Sequence, residues 1–192
     1  SRTVWIISLV YLSIAIVETL LLWAAGMSLF DAINHAFSTV ATGGFSTRNA
    51  SIGYYDSRLI ELIVMFFMTI SAIHFGAVFT FFTTGSFKVF RNPVIIFYLL
   101  TILMGTLLSG ADLFARGTYP TLWQSLWEGA FHTTSFITTT GFSIADPYKW
   151  PMFASVILIY CGIQCGCSGS TTGGLKSDRV LIAFKAIGCE IK

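Results

Sequence analysis

Long apolar stretches separated by short polar segments dominate this chain. Three of them, residues 4–25, 57–84 and 93–111, are long enough to cross a bilayer, which takes about 20 residues of helix. A fourth begins near Pro151 and runs into a glycine-rich segment. Glu18 and His74 lie inside these stretches, where an ionisable side chain needs a partner in the bundle interior. The pattern predicts an all-α integral membrane protein.

Two further apolar runs are too short to span. One begins behind Ser28 and ends near Val40, and the other begins at Thr121 or Ser125 and ends near Ser135. A helix of a dozen residues is about 18 Å long, against a hydrocarbon core of about 30 Å. Each run is followed by a glycine-containing turn, so we expect two re-entrant segments. Non-helical backbone at that depth must be buried in protein or line a wet cavity.

The two short runs and their turns repeat one another. At an offset of 97 positions, residues 28–46 and 125–143 share eight identities in nineteen, where average residue usage gives about one or two. His35 and His132 are one identical pair, and both turns end in Gly-Phe-Ser. The sequence therefore predicts two units of helix, half-helix, turn and helix, which we assign to residues 1–88 and 89–192.

Composition and charge agree with a membrane protein. The chain is 55% hydrophobic and 10% charged, whereas soluble domains carry about 25% charged residues. Loops on one side hold more of the lysines and arginines, and that side is expected to be cytoplasmic. Its seven basic residues are Arg2, Lys88, Arg91, Lys176, Arg179, Lys185 and Lys192. No basic run exists that would bind nucleic acid.

Other chemistries find no support in the residues. No Ser/His/Asp or paired-carboxylate arrangement stands out, so we expect no enzyme, no catalytic residue and no cofactor. Residues 169–177 approach the phosphate-binding G-x-x-x-x-G-K-[ST] loop, but Leu175 separates glycine from lysine and no strand is predicted before it. Cys165 and Cys167 form C-x-C rather than the C-x-x-C of metal sites, so we expect no metal there.

A half-helix followed by a threonine- and glycine-rich turn is the plan of a cation selectivity filter. Successive backbone carbonyls replace the water shell of the ion, and the C-terminal end of the half-helix carries partial negative charge. The alternative is that the small residues serve helix packing alone. We expect four ion-binding residues in each turn: Ala41, Thr42, Gly43, Gly44 and Thr138, Thr139, Thr140, Gly141.

The run after Pro151 predicts a broken helix. Five glycines lie between Tyr160 and Lys176, and each costs about 1 kcal/mol relative to alanine inside a helix. The break should begin about ten residues after Pro151, or about 15 Å into the membrane. A polar loop at that depth, below the filter, would act as a gate, while the alternative is a packing kink. The gating loop would comprise Cys165, Gly166, Cys167, Ser168, Gly169, Ser170, Thr171, Thr172, Gly173 and Gly174.

Four stretches, residues 36–47, 50–57, 138–142 and 166–176, resemble the Trk/Ktr/HKT superfamily of potassium transporters, and most closely its TrkH type. The resemblance implies four helix–pore–helix repeats around one pore, of which this chain is similar to the second and third. It implies that Gly44 and Gly141 are filter glycines. It also implies that the segment from Cys165 to Gly174 obstructs the pore below the filter.

The resemblance further implies the partners. They are potassium as the transported ion, the remaining repeats, a cytosolic ring of nucleotide-binding regulatory subunits and a second copy in a homodimer, in the bacterial cytoplasmic membrane. Because two repeats supply half a filter, the chain alone is not expected to conduct. Two other functions stay open, a non-conducting membrane scaffold or assembly subunit and a secondary transporter with broken helices at a midplane site.

Overall fold

The computed structural model describes residues 2–85 and 90–190, and it is mostly helical there. Among the described residues two helices, α1 (Arg2–Ala24) and α5 (Pro93–Ala115), are long and apolar enough to span a membrane, and α3 (Arg58–Ser71) with α4 (Phe75–Thr84) makes a third, bent candidate. The helices are α1 (Arg2–Ala24), α2 (Leu29–Val40), α3 (Arg58–Ser71), α4 (Phe75–Thr84), α5 (Pro93–Ala115), α6 (Leu122–Ile137), α7 (Met152–Ile163) and α8 (Ser177–Glu190). The expected boundary between the units, at residues 88 and 89, lies outside the described residues.

Side-chain caps fix where the half-helices begin. Ser28 accepts a hydrogen bond from the backbone N–H of Asp31 at 3.1 Å, and α2 starts at the next residue. Thr121 caps α6 in the same way, so α6 begins at the earlier of the two expected starts. Both half-helices are therefore confirmed, at 12 and 16 residues.

The helices of each unit pack closely around its half-helix. In the first unit α1 lies against α2, and in the second α5 lies against α6 and α7. Glycines permit the closest approach: a Cβ on Gly110 of α5 would lie 2.7 Å from the Leu126 side chain and 2.9 Å from the Leu126 Cα atom on α6. Small residues allow membrane helices to pack backbone against backbone in this way. The two units meet where α3 contacts α6.

The expectation of one continuous helix over residues 57–84 is wrong. Helix α3 ends at Ser71, α4 begins at Phe75, and the two are bent by 109°. The segment contains no proline, the usual cause of so sharp a kink. The backbone groups freed at residues 71–75 instead bond to the glycine-rich segment of the second unit. The bend is thus a tertiary feature, which the local sequence does not encode.

The expected break after Pro151 is present. Helix α7 ends at Ile163, after 12 residues. Two short strands, β1 (Gln164–Cys165) and β2 (Leu175–Lys176), then pair in parallel and bring the chain back to the point where it left. Residues 166–174 between them are called the glycine-rich loop below. The strand pair was not foreseen from the sequence.

Replacing Gly110 by alanine tests the contact between α5 and α6. The new methyl group would collide with Leu126, including its backbone, so we expect a loss of about 1–3 kcal/mol of stability, as for an overpacked core. Thermal unfolding in detergent measures it. Gly188→Ala is the matched control, because nothing lies within 4 Å of the Cβ position on Gly188. Equal melting temperatures for the two variants would contradict the close packing of α5 on α6.

Candidate functional site

The two glycine-containing turns have the same backbone conformation. In the first turn, residues 41–46, Thr42 and Gly44 have left-handed φ values of 51° and 68°. In the second turn, residues 138–143, Thr139 and Gly141 have φ values of 53° and 87°. Threonine is rare in this region, and such strain costs about 1–3 kcal/mol unless the surroundings enforce it. Its recurrence at matching positions shows that the fold imposes one shape on both turns.

Hydrogen bonds to the half-helices hold this shape. In each turn two consecutive backbone N–H groups donate to carbonyl oxygens in the last turn of the half-helix before it. The four bonds, 2.8–3.0 Å long, join Thr42 to Thr39, Gly43 to Ser38, Thr139 to Phe136 and Thr140 to Ser135. In a trans peptide the C=O points opposite to the N–H of the following residue. The carbonyls of Ala41, Thr42, Thr138 and Thr139 therefore point away from the half-helices.

The two turns touch one another. A Cβ on Gly44 would overlap the carbonyl oxygen of Thr140, so only glycine permits this approach. The N–H of Gly53 also donates to the oxygen of Ser143 at 3.2 Å. Sequence-predicted filter residues from both units are thus neighbours in space.

The phenylalanines that follow the two filter glycines differ in their surroundings. Phe142 is 1% exposed and its ring lies 5.8 Å from that of His35, inside the apolar cluster of the first unit. Phe45, at the matching position, is 81% exposed. The second turn is therefore inserted into the first unit, whereas the first turn has no such receiving surface among the described residues.

The two repeated histidines are buried, and each ring nitrogen lies within 3.3 Å of a polar atom. His35 donates from Nδ1 to the oxygen of Asp31 at 2.7 Å and pairs through Nε2 with the Ser46 hydroxyl at 2.8 Å. Nδ1 of His132 lies 2.9 Å from the oxygen of Glu128 and Nε2 lies 3.3 Å from that of Ala145. A neutral imidazole has one N–H and donates to one of these two carbonyls. Each ring thereby ties a half-helix to the outer end of its own turn.

The carboxylates at the outer side use different partners. Asp31 accepts from the Thr47 hydroxyl at 2.6 Å and from Arg48 at 2.9 Å, and these bonds hold the pKa of Asp31 well below its ordinary value. Glu128, its counterpart, has its nearest guanidinium on Arg58 of α3, at 4.0 Å. Arg58 also pairs with Glu61, which accepts in turn from the indole of Trp127. The second half-helix is therefore joined to the first unit by the hydrogen bond from Trp127 to Glu61.

The glycine-rich loop is closed at its base and reaches the second turn. Ser177 donates from its hydroxyl to the Cys165 oxygen at 2.5 Å and from its N–H to the Gly166 oxygen at 3.1 Å. At the other end of the loop, the N–H of Gly173 donates to the Thr139 hydroxyl at 3.0 Å. The two predicted sites, the turn and the loop, are thus in direct contact.

Comparison with known proteins assigns this architecture. The family model named TrkH and described as a cation transport protein matches residues 1–109 and 117–192. The chain belongs to the TrkH family. The resemblance noted in the sequence and the all-α membrane fold class are therefore confirmed, and the chain is a multi-pass protein of the bacterial cytoplasmic membrane.

Individual relatives cover the whole chain. The Trk system potassium uptake protein TrkH of Salmonella typhimurium is 37% identical over 193 residues, which is all of this chain and 39% of that protein. TrkG of Escherichia coli K12 is 36% identical over the same shares. The crystal structure of the potassium transporter TrkH from Vibrio parahaemolyticus matches with a TM-score of 0.89 and 34% identity, over 99% of this chain and 41% of that one. The TrkH-family chain thus spans about two fifths of the length of these relatives.

Two ionisable residues inside the predicted spans behave differently. His74 lies at the bend before α4, where its ring faces Gly169 of the glycine-rich loop. Glu18 is fully buried in α1, and neither carboxyl oxygen has a hydrogen-bond partner in the described part of the chain. The neighbouring Thr39 hydroxyl donates instead to the His35 oxygen at 2.7 Å. The expected partner in the bundle is therefore found for His74 as a packing contact only.

Sequence reasoning missed the group formed by Arg58, Glu61 and Trp127. The only available signal was the match of Asp31 with Glu128, which marks an acidic position in each half-helix. Because the counter-charge of Glu128 comes from a different unit, no short-range pattern announces it.

Removing the Ser46 hydroxyl tests the hydrogen bond between Ser46 and His35. Ser46→Ala leaves Nε2 of buried His35 unpaired, so we expect a loss of about 1–3 kcal/mol in stability. The matched control is Ser143→Ala at the equivalent position, because His132 pairs with the Ala145 oxygen and not with Ser143. Thermal unfolding of both variants measures the difference. A larger loss of stability for Ser143→Ala than for Ser46→Ala would contradict the hydrogen bond assigned to Nε2 of His35.

Proposed function

We propose that this chain is the pore-forming part of a Trk-type potassium uptake transporter. Its TrkH and TrkG relatives carry the name Trk system potassium uptake protein. The observation that carries the proposal is the direction of the turn carbonyls, which point away from both half-helices at matching positions. The function requires potassium as substrate and neither a catalytic residue nor a cofactor.

The proposed filter binds the ion through these carbonyls. Backbone oxygens substitute for the water shell of a cation, and the C-terminal ends of α2 and α6 add partial negative charge at the same level. The ion-binding residues are Ala41 to Gly44 and Thr138 to Gly141. A scaffold without conduction would have no use for two strained turns of identical shape, which is why the pore is the preferred function.

Two turns form half of the proposed filter, and the remaining repeats of the same transporter complete it. Residues 1–88 and 89–192 then correspond to two successive repeats. The burial of Phe142 against the half-helix of the preceding unit supports this arrangement. Phe45 is exposed at the matching position, and its proposed receiving surface lies on another repeat.

The glycine-rich loop, with Cys165 at its base, is the proposed gate. It lies against Thr139 of the second turn and continues through the strand pair into α8, which carries Arg179 and Lys185. A cytosolic ring of nucleotide-binding subunits, acting on that basic side of the membrane, would control the loop. Pairing of two complete transporters as a homodimer is part of the same proposal. Broken helices are also present in secondary transporters, so coupled transport is the second candidate.

Gly141→Ser in the complete transporter tests the filter. Residues other than glycine are strained at a φ of 87°, so the turn must distort and discrimination of potassium over sodium should fall several-fold. Gly43→Ser should have a smaller effect, because Gly43 has no left-handed φ and its Cβ position lies 3.4 Å from its nearest neighbour. Permeability ratios from flux measurements decide. An unchanged ratio for Gly141→Ser would remove that residue from the filter.

Shortening the glycine-rich loop tests the gate. Deleting residues 166–169 in the complete transporter should raise potassium flux and leave the potassium-to-sodium ratio unchanged, because the filter turns are untouched. Reconstituted vesicles report both quantities. Flux at the parent level, in protein shown to be folded and inserted, would mean that the loop does not obstruct the pore.

A further inference from the structure

The bend between α3 and α4 leaves backbone groups without helical partners, and the glycine-rich loop supplies those partners. The N–H of Cys167 donates to the Ala72 oxygen at 2.8 Å, and the N–H of Phe75 donates to the Gly169 oxygen at 3.2 Å. The Thr171 hydroxyl donates to the Ser71 oxygen at 3.3 Å. Since unpaired backbone groups are costly at membrane depth, the bend and the loop stabilise each other.

Two loop glycines fit this surface closely. A Cβ on Gly166 would lie 2.6 Å from the Ala72 oxygen, and one on Gly169 would lie 2.6 Å from the His74 ring. Gly169 also has a left-handed φ of 76°. Gly173, in the same loop, has nothing within 4 Å of its Cβ position and no left-handed φ. The loop therefore makes close contact with residues 71–75 through two specific positions.

Helix α4 is attached to this contact at its first residue. Phe75 bonds to Gly169 through its N–H, while its ring lies 4.2 Å from that of Tyr11 on α1. Tyr11 also lines a common cavity with Thr171 of the loop. A change in the angle between α3 and α4 would move Phe75 and His74 away from Gly169, and so break the contact.

We propose that residues 71–75 are positioning residues that seat the glycine-rich loop beneath the filter, and that the angle between α3 and α4 decides whether the loop stays there. The position of the loop below the filter, and any effect on ion flow, rest on the proposed function. The seat, meaning the contact of residues 71–75 with the glycine-rich loop, rests on the hydrogen bonds and close contacts alone.

Thiol modification of Cys167 measures seating without reference to ion flow. Cys167 is 2% exposed in the seated loop, so a water-soluble cationic methanethiosulfonate reagent should react slowly. The experiment uses the complete transporter in lipid vesicles with its other cysteines replaced by alanine, including Cys161, Cys165 and Cys189. The variants are Gly166→Ala and Gly169→Ala, and Gly173→Ala is the control in the same loop. Potassium flux is recorded in parallel.

The seat predicts that Gly166→Ala and Gly169→Ala raise the modification rate about tenfold or more, the population shift that strain of this kind produces. Gly173→Ala should react at the parent rate. Adding His74→Ala to Gly169→Ala removes the ring that the methyl group meets and should restore part of the protection. Parent-like rates in both glycine variants would overturn the seat.

The outcomes separate the two proposals. Faster modification with unchanged potassium flux would keep the seat and refute the gate. If the glycine variants do not fold, as judged by gel filtration, Thr171→Val takes their place, because it removes the bond to Ser71 at nearly constant volume. A parent rate in Thr171→Val would then overturn the seat.

Discussion

The structure depends on one requirement, that every backbone polar group at membrane depth finds a partner. Helix α3 stops at Ser71 and helix α7 stops at Ile163, so the helix after the turn is interrupted in both units. Each break exposes groups that the other can satisfy, and the hydrogen bonds from Cys167 and Phe75 show that they do so. Neither break would be tolerated alone in lipid. The two units are therefore joined by their interruptions as well as by side-chain packing.

The two units preserve backbone shape more strictly than side-chain chemistry. Thr42 and Thr139 share a strained φ, and two backbone hydrogen bonds to the half-helix recur at matching positions in both turns. The acidic side chains of the two half-helices have different partners. Asp31 pairs with Arg48 of its own unit, whereas Glu128 lies nearest to Arg58 of the other unit. Carbonyl positions within a turn tolerate little change if they are to bind one ion. The side-chain contacts around the turns differ between the two units.

Features set by short-range rules were predictable, and those set by distant contacts were not. Ser28 marks the start of α2 because a cap acts within one helical turn, and the glycines after Tyr160 end α7 by composition. The repeat exposed the paired turns. The bend at residues 72–74 has no such signal, since its cause is a loop about a hundred positions away. The sequence also does not predict that Glu128 lies beside Arg58, because the two residues belong to different units.

The parallel pairing of Gln164 with Leu175 and of Cys165 with Lys176 has a consequence for speed. Because the glycine-rich loop enters and leaves through one closed point, it can shift without altering the separation of α7 from α8. Loops of this size move within nanoseconds to microseconds once they are free, whereas helices change their packing over microseconds to milliseconds. The slower helices would then set the rate of any loop movement, and the loop would equilibrate rapidly at each position of the helices.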